Sequence, residues 1–375
     1  MAGASGAWEF LCGIWPRILA CAIAVVVAVL WAPGAAAASG WSIQSTPNPT
    51  GVSASALEGV SCPSATACIA VGDINGISGP VGPLAEQWNG TAWSIQANPQ
   101  GQSLTGVSCT TATACTAVDP GAYRWNGSAW SIQPTPSEGN DGSFLQDVSC
   151  TAANSCTAVG YYRVYQQHFV YVFTLAEQWN GNAWSIHATP NPSKYRSLLD
   201  GVSCTTATAC TAVGGIVSAP LAERWNGTAW SLQPTPNPAG ATSIVLSSVS
   251  CPTATDCTAV GHYTNSSSTY APLAERWNGT GWAIQPTPVP SGAGNTVLEH
   301  VACAAASACI AVGWYSGGVL AERWNGTAWS LQAAPSPTGA VLSGVSCPSA
   351  TACTAVGAYT NASVKQVTLA ERYSG

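Results

Sequence analysis

The chain repeats one pattern of residues seven times, at intervals of roughly 40 to 55 residues. Each copy contains two cysteines separated by five residues, a small-residue strand such as Thr-Ala-Val-Gly, a variable stretch, the motif Leu-Ala-Glu-Arg-Trp-Asn-Gly and the motif Trp-Ser-Ile-Gln. A repeat of this length built from short strands is typical of propeller blades, whereas a helical solenoid would show a 3.6-residue apolar period. The sequence therefore predicts an all-β, seven-bladed β-propeller with four antiparallel strands in each blade.

The two ends of the repeat region predict how the ring closes. A first copy of Trp-Ser-Ile-Gln begins at Trp41, before any cysteine pair, and the last copy of the preceding motif occupies residues 369–375. The N-terminal strand is expected to complete the seventh blade, because it would pair with a sheet edge that otherwise lacks a strand. Residues 39–375 are thus expected to form one propeller.

Residues 1–38 have the features of a secretory signal peptide. They contain Arg17, an apolar run over residues 18–31 and a stretch of small residues that ends at Ala38, near which cleavage is expected. The apolar run is shorter than the ~20 residues that a transmembrane helix usually needs. The sequence predicts a secreted, extracellular protein that is free of the membrane after cleavage, with an uncleaved N-terminal anchor as the alternative.

The cysteine spacing predicts one disulfide within each blade. Five turn-forming residues between two strands place both thiols opposite each other on one hairpin, where a disulfide fits. Zinc ligation is the alternative, but two thiolates per blade do not make a four-ligand site and the four histidines fall outside the repeat. Neither a metal nor a cofactor is expected. The predicted pairs are Cys62/Cys68, Cys109/Cys115, Cys150/Cys156, Cys204/Cys210, Cys251/Cys257, Cys303/Cys309 and Cys347/Cys353.

Charge and motif content argue against two classes of function. Only 7% of the residues are charged and the formal net charge is −6, so the basic footprint of a nucleic-acid-binding protein is absent. No Ser/His/Asp constellation occurs, and the acids outside the repeated motif are scattered without a pair motif, whereas glycoside hydrolysis needs two carboxylates at one locus. An enzyme is therefore not expected, although carboxylates clustered near the central channel would favour one.

The repeated Trp residues have two interpretations, and the repeated Glu and Arg residues favour a structural role over catalysis. Strand alternation places Trp230 and Leu232 on one face, so a Trp at this position packs between blades or offers a platform for a sugar ring. Glu223 and Arg224 are adjacent and point to opposite faces, which predicts an ion-pair or hydrogen-bond network between blades.

We letter the four strands of a blade a to d, with the cysteine loop between a and b and Asn-Gly between c and d. The b–c and d–a connections differ from blade to blade and emerge on one side of the ring, which we call the variable face. Variable loops on a rigid scaffold are usual places for binding. In blade three the b–c stretch over residues 161–173 predicts an elongated hairpin that is rich in tyrosine, and the following d–a loop adds basic residues. This hairpin is either a decorative loop or a contact surface with these candidate ligand-binding residues: Arg163, Tyr165, His168, Lys194, Tyr195 and Arg196.

The seven cysteine-hairpin repeats resemble a class of secreted bacterial repeat proteins, over residues 41–375. The motif Glu-Arg-Trp-Asn-Gly-Thr-Ala-Trp is also similar to the Glu…Trp-Asp-Gly…Trp hairpin of fucose-binding propeller lectins, and its end is similar to the Asp-box of sialidase-type propellers. The lectin resemblance implies that Glu223, Arg224, Trp225 and their copies would hold a sugar.

Together these features predict a secreted, disulfide-stapled propeller that acts as a binding or scaffolding module. Its expected partner is a glycan or an extracellular protein. The alternative function is that of a carbohydrate-active hydrolase or lyase of the sialidase-like propeller type.

Overall fold

The computed structural model describes residues 40–76, 81–97, 101 and 103–375. These residues form seven separate four-stranded antiparallel sheets, which confirms the predicted all-β propeller with seven blades. The predicted signal peptide over residues 1–38 lies outside the described residues and stays a prediction.

The strands are numbered in chain order, and the four strands of a blade are called a to d from the channel outward. A single strand, β1 (Gly40–Gln44), precedes blade one. Blades one to three consist of β2 (Val52–Ser64), β3 (Ala67–Gly76), β4 (Val81–Trp88) and β5 (Trp93–Ile95); β6 (Gly106–Thr111), β7 (Ala114–Val118), β8 (Ala122–Trp125) and β9 (Trp130–Gln133); β10 (Ser143–Ala152), β11 (Ser155–Gln166), β12 (Phe169–Trp179) and β13 (Trp184–Ile186).

Blades four to six follow the same order, and blade seven has three strands from the C-terminal part of the chain. Blade four consists of β14 (Ser197–Thr206), β15 (Ala209–Ile216), β16 (Pro220–Trp225) and β17 (Trp230–Gln233), and blade five of β18 (Ser243–Thr253), β19 (Asp256–Thr264), β20 (Tyr270–Trp277) and β21 (Trp282–Gln285). Blade six consists of β22 (Thr296–Ala305), β23 (Ala308–Tyr315), β24 (Gly318–Trp324) and β25 (Trp329–Leu331). Blade seven contains β26 (Val341–Ser349), β27 (Ala352–Thr360) and β28 (Gln366–Ser374).

The N-terminal strand closes the ring as predicted. Strand β1 pairs antiparallel with β28, in a register that places Trp41 opposite Tyr373. The two rings lie 5.5 Å apart and reproduce the Trp–Trp pair at the same place in other blades. Residues from opposite ends of the described chain thus share one sheet, and this leaves blade seven with the same four strands as its neighbours.

Each blade carries the predicted disulfide. The five residues between the cysteines form the tight a–b turn, so that Cys204 and Cys210 face each other across β14 and β15. The bridged pairs are Cys62–Cys68, Cys109–Cys115, Cys150–Cys156, Cys204–Cys210, Cys251–Cys257, Cys303–Cys309 and Cys347–Cys353.

Neighbouring blades pack through apolar faces that the strand alternation predicts. Val213 and Ala222 of blade four pack against Leu246 and Leu273 of blade five. Most of the repeated Trp side chains are buried at the same interfaces; Trp225, for example, is 5% exposed. This burial supports packing between blades, because an enclosed indole offers no face to a sugar.

A circle of hydrogen bonds joins the inner strands. The residue before the first cysteine of a blade is a serine in six blades, and its hydroxyl accepts a bond from the backbone N–H of the first cysteine in the next blade. The six pairs are Ser61–Cys109, Ser108–Cys150, Ser149–Cys204, Ser203–Cys251, Ser250–Cys303 and Ser346–Cys62. Blade six has Ala302 at this position and has no hydroxyl to offer blade seven.

The arginines contact the next blade, but not through ion pairs with the repeated glutamates. The guanidinium of Arg224 lies 4.9 Å from the ring centroid of Trp277 in blade five and donates to the carbonyl oxygen of Ala254 at 2.6 Å. Arg276 of blade five contacts Trp324 and Ala306 of blade six in the same way. Arg372 of blade seven likewise contacts Trp88 and Ala65 of blade one.

The predicted network is wrong for the glutamates. The six repeated residues are at most 1% exposed, and their carboxylate oxygens have no hydrogen-bond partner among the described residues. Burial raises the pKa of each to about 8, so that the neutral form prevails at pH 7. The six are Glu86, Glu177, Glu223, Glu275, Glu322 and Glu371.

Candidate functional site

The elongated hairpin of blade three extends from the variable face. Strands β11 and β12 pair continuously out to Gln166 and Phe169 and turn at Gln167 and His168, which both have positive φ, as a two-residue hairpin turn requires. In blade six the corresponding hairpin turns four residue pairs earlier, after Tyr315. At ~3.3 Å per residue, the blade-three hairpin is longer by about 13 Å.

The tip of this hairpin exposes large apolar side chains. Tyr165 is 50%, Phe169 65% and Val170 51% exposed. Below the tip, Tyr171 stacks at 6.4 Å on Tyr195, which is itself 57% exposed. The turn residue His168 lies 3.4 Å from the hydroxyl of Tyr165, measured at its Nδ1 atom. The register places Tyr165 and Val170 on one face of the hairpin and Phe169 and Tyr171 on the other. We call these four residues and Tyr195, on both faces of the tip, the hairpin surface.

The three basic residues predicted near this hairpin lie in different surroundings. Arg163 is half-buried, with its guanidinium 4.6 Å from the ring centroid of Phe144 and 3.4 Å from the hydroxyl of Tyr161. Lys194 lies over the ring of Tyr195 at 4.7 Å and so borders the hairpin surface. Whether these residues bind a ligand stays a prediction.

Arg196 belongs to the central channel. A β-bridge between Arg196 and Val172 fixes the chain beside β12 just before β14 begins. The Arg196 side chain lines a cavity of about 460 Å³ that is enclosed by residues of all seven inner strands and their leading segments. This cavity is the part of the channel nearest the variable face, where the chain enters each inner strand.

One residue of each blade lines this cavity through a recurrent irregularity of the inner strand. In six inner strands the pairing with the second strand skips one residue, which forms a β-bulge. A β-bulge changes the direction in which the side chain of the bulged residue points. The six bulged residues and their counterpart in blade two all line the cavity and are half-buried. We call them the channel ring: Glu58, Thr105, Gln146, Asp200, Ser247, Glu299 and Ser343.

Three of the seven ring residues are carboxylates, and they differ in their partners. Glu58 accepts a hydrogen bond from the side chain of Ser343. Glu299 accepts one from the indole N–H of Trp314 at 2.9 Å. Asp200 has no hydrogen-bond partner among the described residues, although Arg196 attracts its charge. The ring therefore contains one carboxylate whose bonding capacity is unused.

Burial and mutual repulsion raise the pKa of the ring carboxylates. Burial raises the pKa of Asp200 to about 7, with Arg196 lowering it and Glu299 raising it further. Burial also raises the pKa of Glu58, to which Asp73 and Glu299 add their repulsion. Acids from blades one, four and six thus influence one another across the channel.

Asp147 and His300 lie next to the ring in the same cavity. Asp147 accepts bonds from the backbone N–H groups of Val148 and Val202, both at 2.8 Å, so its carboxylate joins blade three to blade four. Burial lowers the pKa of His300 to about 4, which leaves this imidazole neutral at pH 7. Neither group adds a free positive charge to the channel.

The expectation that the non-repeat acids are scattered is wrong for these residues. Glu58, Asp200 and Glu299 are far apart in the sequence but share one cavity. A sequence signal was present: each ring residue stands four positions before the first cysteine of its repeat and is polar in every copy. The glycine of Ala-Val-Gly marks the bulge, since a Cβ at Gly214 would lie 2.1 Å from the carbonyl oxygen of Leu198.

The residues implied by the lectin resemblance do not meet in one pocket. Glu223 is fully buried, whereas Arg224 points to the other face of the strand, toward Trp277 of the next blade. A cavity of about 370 Å³ between blades four and five is lined by Arg224, Trp225 and Trp277 together with Gln233, but by no carboxylate.

Two further findings concern metal-binding groups and membrane-spanning helices. The described part of the chain has no group of three or more His, Cys, Asp or Glu residues placed to hold a metal ion. Within residues 40–76, 81–97, 101 and 103–375, no helix is both long and apolar enough to cross a membrane.

Comparisons with known proteins identify the fold. No protein-family model and no curated protein sequence matches the chain. Among solved structures, YCF48 bound to D1 peptide is similar with a TM-score of 0.57 at 12% identity, covering 89% of this chain and 95% of that one. The WD40 β-propeller domain of Doa1 has a TM-score of 0.55 at 9% identity, with 89% and 97% covered. A protein of unknown function from Dyadobacter fermentans has a TM-score of 0.51 at 9% identity, with 89% and 99% covered. At these identities the similarity shows a β-propeller fold and nothing more.

Proposed function

We propose that the protein is a secreted, non-enzymatic binding module that holds another extracellular protein on its variable face. The observation that carries the proposal is the hairpin surface, where Tyr165, Phe169 and Val170 are each at least half exposed. Exposed clusters of large apolar side chains on a soluble protein mark interaction sites, and tyrosines give contact area at low entropic cost.

The rest of the molecule supports this proposal. Seven disulfides, one in each blade, are typical of oxidising compartments such as the extracellular space, which agrees with the signal peptide predicted over residues 1–38. The ring is a rigid support for a projecting hairpin, and the similar propeller YCF48 is bound to a peptide.

A shortened hairpin provides the test. Deleting residues 163–166 and 169–172 keeps the two-residue turn and the pairing of Tyr162 with Phe173, so the hairpin ends where that of blade six ends. Both tagged proteins are incubated with the extracellular proteins of the source organism. We expect the parent to retain a defined protein that the shortened variant releases. Equal retention by both, with unchanged unfolding temperatures, would contradict the proposal.

Glycan binding is a second candidate, and the cavity between blades four and five favours it. Arg224, Gln233 and Ser231 supply polar groups there that could bind sugar hydroxyls, whereas the buried Trp277 offers no stacking face. A glycan array probed with the parent and with Gln233→Ala distinguishes this candidate, because the hairpin deletion should leave such binding intact.

The hydrolase alternative gains one supporting observation from the channel ring. Glu58, Asp200 and Glu299 line one cavity, and two carboxylates near a scissile bond are the usual apparatus of glycoside hydrolysis. Turnover of chromogenic glycosides that is abolished by Glu299→Gln would support an enzyme. The absence of turnover at substrate saturation would favour the binding module.

A further inference from the structure

The channel ring differs from the structural positions of the repeat in one respect. The cysteines and the glycine of Ala-Val-Gly are nearly the same in every blade, as expected of residues that build the blade. The ring position instead carries Glu, Thr, Gln, Asp, Ser, Glu and Ser in blades one to seven. It is always polar, its identity varies, and it always lines the same cavity. A ligand without sevenfold symmetry that binds across the pseudo-symmetric ring would require different residues at the seven equivalent positions.

Acidic side chains outnumber basic ones in the cavity. Three ring carboxylates face one guanidinium, that of Arg196, and Asp73 lies near enough to Glu58 to repel it. The uncharged members of the ring, such as Gln146 and Ser247, add oxygen atoms that accept hydrogen bonds. An anionic ligand would therefore meet repulsion in this cavity, and a cation would meet attraction.

A second observation points to a ligand. Asp200 is half-buried and lines the cavity, and burial removes part of the solvent from its carboxylate. No described residue donates a hydrogen bond to it. A carboxylate that has lost part of its solvent and has no protein donor gains more from a donor that arrives with a ligand than a fully hydrated one does.

The size and spacing of the site favour an organic cation over a metal ion. The described residues include no group of three carboxylates or imidazoles close enough to chelate one ion. The cavity of about 460 Å³ is within the range of small-molecule sites. An alkyl chain with a cationic end carries three or more N–H donors and can reach separate acceptors on different blades.

We propose that the channel ring binds an alkylammonium or guanidinium group, with Asp200 and Glu299 as its principal acceptors. The cation enters from the variable face, where the cavity opens. It is either a free amine or a lysine or arginine side chain of a peptide. This site is separate from the hairpin surface, so either proposal can fail alone.

The test measures binding by the full mature chain at about pH 8, above the pKa of about 7 of Asp200. The probes are cadaverine, agmatine and a capped Gly-Lys-Gly peptide, with pentanediol and a capped Gly-Gln-Gly peptide as neutral counterparts. We expect at least one cationic probe to bind by titration calorimetry and its neutral counterpart not to bind. Binding of cadaverine or agmatine but not of the lysyl peptide identifies a free amine as the source, and the reverse identifies a peptide.

The double variant Asp200→Asn, Glu299→Gln should weaken binding about tenfold or more, since one hydrogen bond to a charged group corresponds to about that factor. Both amides keep the size of the side chain, and unfolding curves check that the ring is intact. Asp141→Asn is the matched control, because it makes the same change at an exposed residue outside the cavity. Binding that is unchanged in the double variant, equal for neutral probes or undetectable with all three cations overturns the proposal.

Discussion

The hydroxyl of Ser250 in blade five accepts a hydrogen bond of 2.9 Å from the backbone N–H of Cys303 in blade six. The same contact links five other pairs of neighbouring blades and is missing between blades six and seven, where Ala302 replaces the serine. The cysteine hairpin of every blade except blade seven is thereby attached to the preceding blade at the channel.

Completing this circle should stabilise the protein. Ala302→Ser supplies the missing hydroxyl at a position where six other blades accept it, and we expect the free energy of unfolding to rise by about 1 kcal/mol. Ser250→Ala should lower it by about as much, because the N–H of Cys303 loses its acceptor. Urea titration of both variants measures the two changes. A destabilised Ala302→Ser variant would show that the gap has another cause.

The buried glutamates should make the protein more stable in mild acid than at pH 8. Their pKa is about 8 in the folded state and near 4.5 when exposed, so the folded chain binds more protons between these values and stability falls as pH rises through this window. His300, whose pKa is lowered to about 4, opposes the trend below pH 6.5, but it is one group against six.

Glu223→Gln provides the corresponding variant test. Glutamine removes the titration, so we expect about 4 kcal/mol of added stability at pH 8 and little change at pH 4. Unfolding by urea at several pH values measures the difference between variant and parent. A difference that does not depend on pH would mean that Glu223 is ionised in the folded protein or has a donor.

The disulfides should stabilise each blade separately. Replacing Cys204 and Cys210 together by serine opens one small loop, which corresponds to about 2 kcal/mol in the chain-entropy treatment. Mass spectrometry of a non-reduced digest should recover the other six bridges unchanged in this variant. Reshuffled bridges between blades would contradict the assignment of one closed hairpin per blade.

The fold could be predicted because every blade carries its own complete set of local signals. The cysteine spacing defines the a–b hairpin, Asn-Gly defines the c–d turn, and the lone strand at Trp41 indicates how the ring closes. The hairpin of blade three was likewise visible as a long alternating segment. These features depend on neighbours in sequence, where pattern reasoning is reliable.

The channel ring was missed, because Glu58, Asp200 and Glu299 look scattered along the chain; only their common place, four residues before the first cysteine of each repeat, indicates that the closed ring brings them together. Arg196 lies beside Val172 of the hairpin, as its place in the sequence predicts, but its second position, at the channel cavity, was not predicted. The buried state of Glu223 was also not predictable, since alternation gives the face of a residue and not the depth of its burial.

The central claim is that ligands bind on the variable face through the hairpin of blade three. Two variants with a photoreactive benzoylphenylalanine test it most directly, one at Phe169 on the hairpin and one at Ile132 on the outer strand of blade two. The replaced residues are 65% and 62% exposed, so the two probes are equally accessible. After irradiation with the extracellular proteins of the source organism, we expect a defined covalent complex from position 169 and none from position 132. Equal crosslinking from both positions, or a complex from position 132 alone, would contradict the account.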